Sequence, residues 1–241
     1  LGLPRTIAVD GPAGSGKSSV SFAVAQRLGY LFVDTGAFYR AITLLALRQG
    51  IDPADAERVA ALARAAEINL SGDLREDGRQ YTLLVNGEDI TWQIHSPEVD
   101  AHVSVVAANP GVRQAMLDAQ RALAARGGVI MAGRDIGTVV LPDADLKIYI
   151  DATLEQRAER RYRQRLLAGE EADLATIYEG LRRRDMTDSQ RDVAPLLRAP
   201  DAVYLDTTSL SLDEAIEAAY QIVLAWARQH QHLDEDKGTA P

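Results

Sequence analysis

No cysteine occurs in the 241 residues, which excludes disulfides, thiol catalysis and any cysteine-based zinc site. Lysine is almost missing as well. Lysine and arginine together number 26, and only Lys17, Lys147 and Lys237 are lysine. The four histidines, His95, His102, His230 and His232, are scattered and lack the spacing or acidic partners of a metal site. No window approaches the ~18 uninterrupted apolar residues of a membrane span. The first strand pattern starts at Arg5, so the expectation is a cytoplasmic protein with no signal peptide and no membrane partner. Positive charge is short overall: the net charge is −9. Such a surface does not attract a nucleic-acid polymer or an anionic membrane as a whole, and any anion site must be a local concentration of arginine.

What is present is ordinary for a folded domain. The chain is 46% hydrophobic and 25% charged, and its length suits one large α/β domain with embedded subdomains. The stretch Ile7-Ala-Val-Asp-Gly11-Pro12-Ala13-Gly14-Ser15-Gly16-Lys17-Ser18-Ser19 reads as a strand running through a glycine-rich loop into a helix. It fits G-x-x-x-x-G-K-[ST], the phosphate-cradling P-loop pattern. Glycines let several backbone N–H groups converge on a phosphate, and the helix adds its unpaired amides and the positive end of its dipole. Lys17 is placed to reach the terminal phosphates of a nucleoside triphosphate, and the Ser18 hydroxyl to ligate Mg²⁺. The scarce lysine stands at the one position where the motif demands it.

Along the chain, Arg5–Asp10 and Tyr30–Val33 read as strands flanking a helix over Lys17–Leu28. Helices follow over about 37–49 and 52–66. Strand-like segments Glu67–Leu70 and Gln80–Val85, with the turn dipeptide Asn86-Gly87, predict a small antiparallel β insertion over about 67–95. Helices resume over Pro97–Ala107 and Gly111–Ala125. The apolar run Val129–Ala132 reads as a buried parallel strand, with Leu146–Ile150 and Ala202–Leu205 as the last two. Between those two lie arginine-rich helices over Thr153–Ala168 and Ala172–Asp185, and Ser211 caps a final helix to about Gln229. Residues 231–241 read as a disordered tail. Alternating strands and helices predict an α/β fold: a three-layer parallel sheet of about five strands with helices on both faces.

A phosphate loop alone does not name a reaction. A signalling GTPase needs a guanine-reading N-K-x-D, and none of Asn69, Asn86 and Asn109 is followed by lysine. A motor-type ATPase needs an acidic pair after a second apolar strand, whereas that strand here ends in Gly133-Arg134-Asp135. A small-molecule kinase fits best, because arginines supply a second anion site. Arg40 lies one helical turn beyond Asp34-Thr35-Gly36, and Arg134 ends a core strand, where open α/β sheets bind ligands. Arg157, Arg161 and Arg165 recur on one helix face, for which the ordinary alternative is a solvated face paired with Glu155 or Glu159.

Three segments resemble bacterial cytidylate kinases: Asp34-Thr35-Gly36-Ala-Phe-Tyr-Arg40, Ile130-Met-Ala-Gly133-Arg134-Asp135-Ile-Gly137-Thr138-Val-Val, and Arg184-Asp-Met-Thr-Asp188-Ser-Gln-Arg191-Asp-Val-Ala-Pro195-Leu. With the P-loop and the insertion in the same order, the resemblance covers about residues 5–230. It implies transfer of phosphate from ATP to CMP or dCMP, as a monomer, on an adenylate-kinase-like core (about 1–36, 108–152 and 196–230). It also implies a monophosphate-binding subdomain over about 37–107 and a mobile lid over about 153–195.

Residue by residue, the resemblance gives Arg40 and Arg134 to the acceptor phosphate and Thr35, Arg113, Asp135 and Arg191 to the cytosine. Ser104, Arg184 and Asp188 go to the ribose, and Arg157 with Arg160 or Arg161 to the ATP donor. The family often carries serine where Thr35 stands, and the hydroxyl survives. Met186-Thr187 replaces more polar residues in what reads as a loop. Uridylate and shikimate are the alternative acceptors, and a silent nucleotide-binding regulator is the alternative of another class.

Overall fold

The computed structural model describes residues 2–73 and 75–235. Five parallel strands form the central sheet: β1 (Thr6–Asp10), β2 (Leu31–Asp34), β6 (Val129–Gly133), β7 (Leu146–Asp151) and β8 (Val203–Asp206), in the order β2-β6-β1-β7-β8. The chain leaves β1 towards one side of the sheet and later returns to fill the other. The strand order therefore reverses around β1, and ligand crevices form at the carboxyl ends of strands at such a point. Register places Asp10 opposite Gly133 on β6 and Tyr149 on β7, so the phosphate loop and the segment after Gly133 leave the sheet side by side.

The helices are α1 (Lys17–Leu28), α2 (Gly36–Arg48), α3 (Ala56–Ala65), α4 (Pro97–Ala108), α5 (Pro110–Ala125), α6 (Leu154–Leu167), α7 (Leu174–Gln190) and α8 (Leu212–Glu235). α1 packs with α8, α3 with α5, and α2 with α4. The core joins sheet and helices: Ile7, Ile130, Met131, Ile150, Phe38 and Ile42 are all under 2% exposed. Each such burial contributes about 1.5–3 kcal/mol.

Local chemistry sets most boundaries. Ser96 caps α4 by accepting from Val99 N (3.3 Å), and Asn109 caps α5 by accepting from Gly111 N (2.9 Å). Proline stands at the first position of both helices, where its missing N–H costs nothing. Ser211 and Glu214 form a reciprocal capping box at α8. The insertion is a three-stranded antiparallel sheet of β3 (Ile68–Ser71), β4 (Thr82–Val85) and β5 (Glu88–Asp89), with Asn86 (φ 50°) and Gly87 (φ 82°) making the turn.

Three boundaries differ from the sequence reading by more than two residues. α3 starts at Ala56 rather than near Asp52, because Asp52 closes a turn onto Ala54 N (2.9 Å) and Asp55 is the cap. α7 continues to Gln190, so the Arg184–Asp188 stretch is helical rather than loop; the 3.6-residue period sets Arg184 and Asp188 on one face. α8 runs past Gln229 to Glu235, into the stretch read as a disordered tail, and residues 236–241 lie outside the described residues. No described helix is long and apolar enough to cross a membrane.

Candidate active site

The phosphate loop joins β1 to α1. Gly11 crosses so close to β7 that a Cβ would collide with the Ile150 carbonyl oxygen. Gly16, at φ 87°, turns the chain into α1 without capping it by a side chain, so the first amides of the helix stay free for an anion. The Ser15 hydroxyl is buried with no partner among the described residues. Lys17 is buried and its Nζ donates to the Pro12 carbonyl at 3.1 Å, folding the ammonium over the loop. Burial, then the nearby Arg134 charge, pushes the Lys17 ammonium well below its usual range.

Ser18 Oγ donates to Asp34 Oδ2 at 3.1 Å, and Asp34 Oδ1 accepts from Gly36 N at 2.9 Å. A hydroxyl and a carboxylate side by side beside a phosphate loop fit Mg²⁺, a hard cation that takes few protein oxygens and completes its shell from phosphates and water. Among the described residues no larger cluster of histidine and carboxylate groups is available for a metal. Asp34 was quoted in the sequence reading but given no role; its signal is its place at the carboxyl end of β2.

Across the cleft the guanidinium groups gather. Arg134 Nε donates to Asp188 Oδ2 at 2.8 Å. Arg40 donates to the Ile94 carbonyl at 3.0 Å and to Asp100 Oδ1 at 2.6 Å. Arg184 keeps Nε buried without a partner, and its group is pushed down to about 10 by burial and by the Arg134 charge. The Lys17 and Arg184 shifts each carry repulsion from neighbouring cations: Arg134 acts on both, Arg184 acts on Lys17, and Arg40 acts on Arg184. A cleft in which cations press on one another across few carboxylates is an anion site.

Deeper, Asp135 is 4% exposed and accepts from Arg113 Nη2 and, at 3.4 Å, from Arg191 Nη2. Burial pushes its carboxyl up, and the two arginines pull it back. Arg113 lies over the Tyr39 ring at 5.5 Å, and Thr35 Oγ1 donates to the Ala132 carbonyl at 2.9 Å. Of the four residues that the resemblance groups, Arg113, Asp135 and Arg191 are therefore in contact, and Thr35 lies beside Ala132 and Gly133 at the end of the strand that leads to Asp135. Ser104 lies on α4, the helix that also carries Asp100, and its hydroxyl makes no hydrogen bond among the described residues.

The arginines of α6 separate into distinct environments. Arg157 is 5% exposed rather than solvated, and donates to the Ala152 carbonyl (2.9 Å), the Ala13 carbonyl (3.0 Å) and Asp185 Oδ2 (2.7 Å). It ties the base of α6 to the phosphate loop. Arg160 binds the Thr207 and Leu210 carbonyls and lies beside Gly16. Arg161 is half-exposed and reaches Asp100 at 3.7 Å, next to Arg40. Arg165 pairs with Glu170 at 3.8 Å, on the surface as the ordinary reading has it, whereas Glu159 takes Arg163 instead. Sequence reasoning missed Asp100 and Asp10, whose partners lie on other elements.

The family model for cytidylate kinase matches residues 7–225. A cytidylate kinase from Geobacillus sp. (strain WCH70) is 48% identical over 217 residues, covering 90% of this chain and 95% of that protein. One from Symbiobacterium thermophilum is 50% identical over 211 residues, 88% and 92% of the two chains. Among solved structures, a gluconokinase from Sinorhizobium meliloti 1021 is similar with a TM-score of 0.48 and 18% identity, over 97% of this chain and 98% of that one. The chain is a phosphotransferase and belongs to the cytidylate kinase family.

Proposed function

We propose that the chain transfers the terminal phosphoryl group of ATP to CMP or dCMP, with Mg²⁺, giving CDP or dCDP and ADP. The observation that carries this reading is the pairing of the phosphate loop, whose first helix amides are free and over which Lys17 folds, with Arg134 and Arg40, held by Asp188 at 2.8 Å and Asp100 at 2.6 Å. Two polyanions brought together there meet cationic donors on both sides.

The free amides of the loop Gly11–Ser19 would receive the donor phosphates, with Lys17 as a point charge; Ser18 and Asp34 would hold Mg²⁺, which would supply neutralisation of phosphate charge. Arg157 and Arg160 brace the loop from the lid side, and Arg161 reaches from α6 towards the acceptor. Arg40 and Arg134 hold the acceptor phosphate by their forks. Its second pKa is about 6, so an oxygen is already ionised near neutral pH and attacks without a general base. Asp135, held by Arg113 and Arg191, accepts from the exocyclic amine of cytosine, a donor that uracil lacks. Arg184 and Asp188, with Ser104 across from them, meet the ribose. Closure of α6 and α7 over the cleft excludes water, which otherwise takes the phosphoryl group. The reaction belongs to pyrimidine nucleotide metabolism, in the cytoplasm, by a monomer.

The test is a coupled ADP-release assay with Mg-ATP and CMP, dCMP, UMP or AMP in parallel. CMP and dCMP turning over well ahead of UMP is the expected result. ATP binding without phosphorylation of any monophosphate overturns the reading and leaves only the phosphate loop.

A further inference from the structure

Asp10 is the last residue of β1 and is 4% exposed. Both of its carboxylate oxygens accept backbone amides from one distant turn: Ile136 N donates to Oδ1 at 2.7 Å and Gly137 N to Oδ2 at 2.8 Å. These amides open the single π-helical turn Ile136–Val140. The first amides of any helical turn lack partners within it, and the residue just before commonly supplies its side chain. That residue is Asp135, a good capping type. Its side chain makes no cap, because it is turned to Arg113 and Arg191.

We propose that Asp10 is a positioning residue that caps the Ile136–Val140 turn from another strand, releasing the Asp135 carboxylate from capping so that it faces Arg113, Arg191 and the acceptor, and holding Arg134 and Asp135 in register with the phosphate loop. The proposal rests on the assignment of Arg134 and Asp135 to the acceptor. The geometry has little slack. A Cβ at Gly137 would sit 3.0 Å from Lys147 Cδ and 3.4 Å from Asp10 Oδ2, so glycine lets that amide approach. Lys147 is in turn tied to Asp201 at 2.8 Å. Asn at position 10 offers one acceptor and turns an NH₂ donor onto the second amide.

The charged neighbours agree with a clamp placed where it is costly to ionise. Burial raises the Asp10 carboxyl to about 6, the Asp135 charge adds to this, and the two amides and Lys17 act the other way. Tyr149, its strand neighbour, feels the same carboxylate.

The experiment compares Asp10→Asn with Arg134→Ala and wild type, reading kcat and KM for CMP and the Kd of ATP in the absence of CMP. The expected result for Asp10→Asn is a loss of at least tenfold in kcat/KM for CMP, with ATP Kd within threefold of wild type. An equal weakening of ATP and CMP, or unchanged kinetics, overturns the proposal. If Arg134→Ala leaves CMP kinetics unchanged, the acceptor assignment itself has failed; if it alone is impaired, only the clamp has. Should Asp10→Asn not fold, Asp10→Ser is read the same way. Amide hydrogen exchange on the wild type adds an independent outcome. Slow exchange at Ile136 and Gly137 supports the clamp, and exchange at the rate of an unprotected loop amide overturns it.

Discussion

Arg134 and Asp188 meet at 2.8 Å through Nε and Oδ2, across 54 residues of sequence, so the strand end and helix α7 share one ion pair. Arg134 Nη1 also donates to the Gly133 carbonyl at 3.4 Å, and the guanidinium charge acts on both Arg184 and Lys17. Arg134→Ala is expected to lower kcat/KM by roughly 10²–10³-fold, the scale of losing one charge-stabilising donor. Asp188 keeps Arg184 beside it, so the melting temperature should fall by less than about 5 °C. Thermal unfolding and steady-state kinetics on one preparation check this. Losses of activity and stability in proportion would sink it.

Asp135→Ala leaves Arg113 and Arg191 without their shared carboxylate and, on the proposed function, removes the acceptor for the cytosine amine. A lost base contact of this kind is worth about 1–3 kcal/mol of discrimination. The ratio of kcat/KM for CMP over UMP should therefore fall by at least about tenfold. An unchanged ratio means that Asp135 does not read the base.

Removing the metal tests the Ser18–Asp34 pair. A chelator should abolish turnover, and excess Mg²⁺ should restore it. Ser18→Ala should raise the Mg²⁺ concentration for half-maximal activity by roughly tenfold, the scale of one lost hard-oxygen ligand. Calorimetry should find CMP affinity within about twofold of wild type, since the proposed function puts Ser18 on the donor side. A Mg²⁺ requirement unaltered in Ser18→Ala argues against the assignment.

The raised Asp10 carboxyl has a stability consequence with a definite sign. The folded state holds this proton up to about 6, against 3.8 for the free side chain. Its contribution is complete below 3.8 and is lost as pH rises through about 6. Relative to Asp10→Asn, wild type should lose roughly 1 kcal/mol of unfolding free energy between about pH 5.5 and 7. Urea unfolding of both proteins across that window measures it. A parallel pH dependence in the two contradicts the raised value.

Much of the site was legible because its determinants are local. A glycine loop between strand and helix needs only neighbouring residues to form, so Gly11–Ser19 could be read directly. The Asn86-Gly87 turn and the Ser211 cap are of the same kind. The end of α7 was not legible. Arg184–Gln190 is polar, and what holds it helical includes the contact of Asp188 with Arg134 on a distant strand.

The sequence by itself determined the parallel α/β class, the phosphate loop, the β insertion and the set of arginines and aspartates available to the cleft. These follow from periodicity, turn chemistry and residue type. Only the tertiary structure decided which charges meet: that Arg157 is buried against Ala13 while Arg161 faces Asp100, and that Asp34 joins Ser18. It also decided that Asp10 caps a turn 126 residues away. The reason is physical. Pairing of buried charges depends on which strand ends the sheet order sets side by side, and adjacency of β1 with β6 and of β6 with β2 is a property of the assembled sheet, not of any segment.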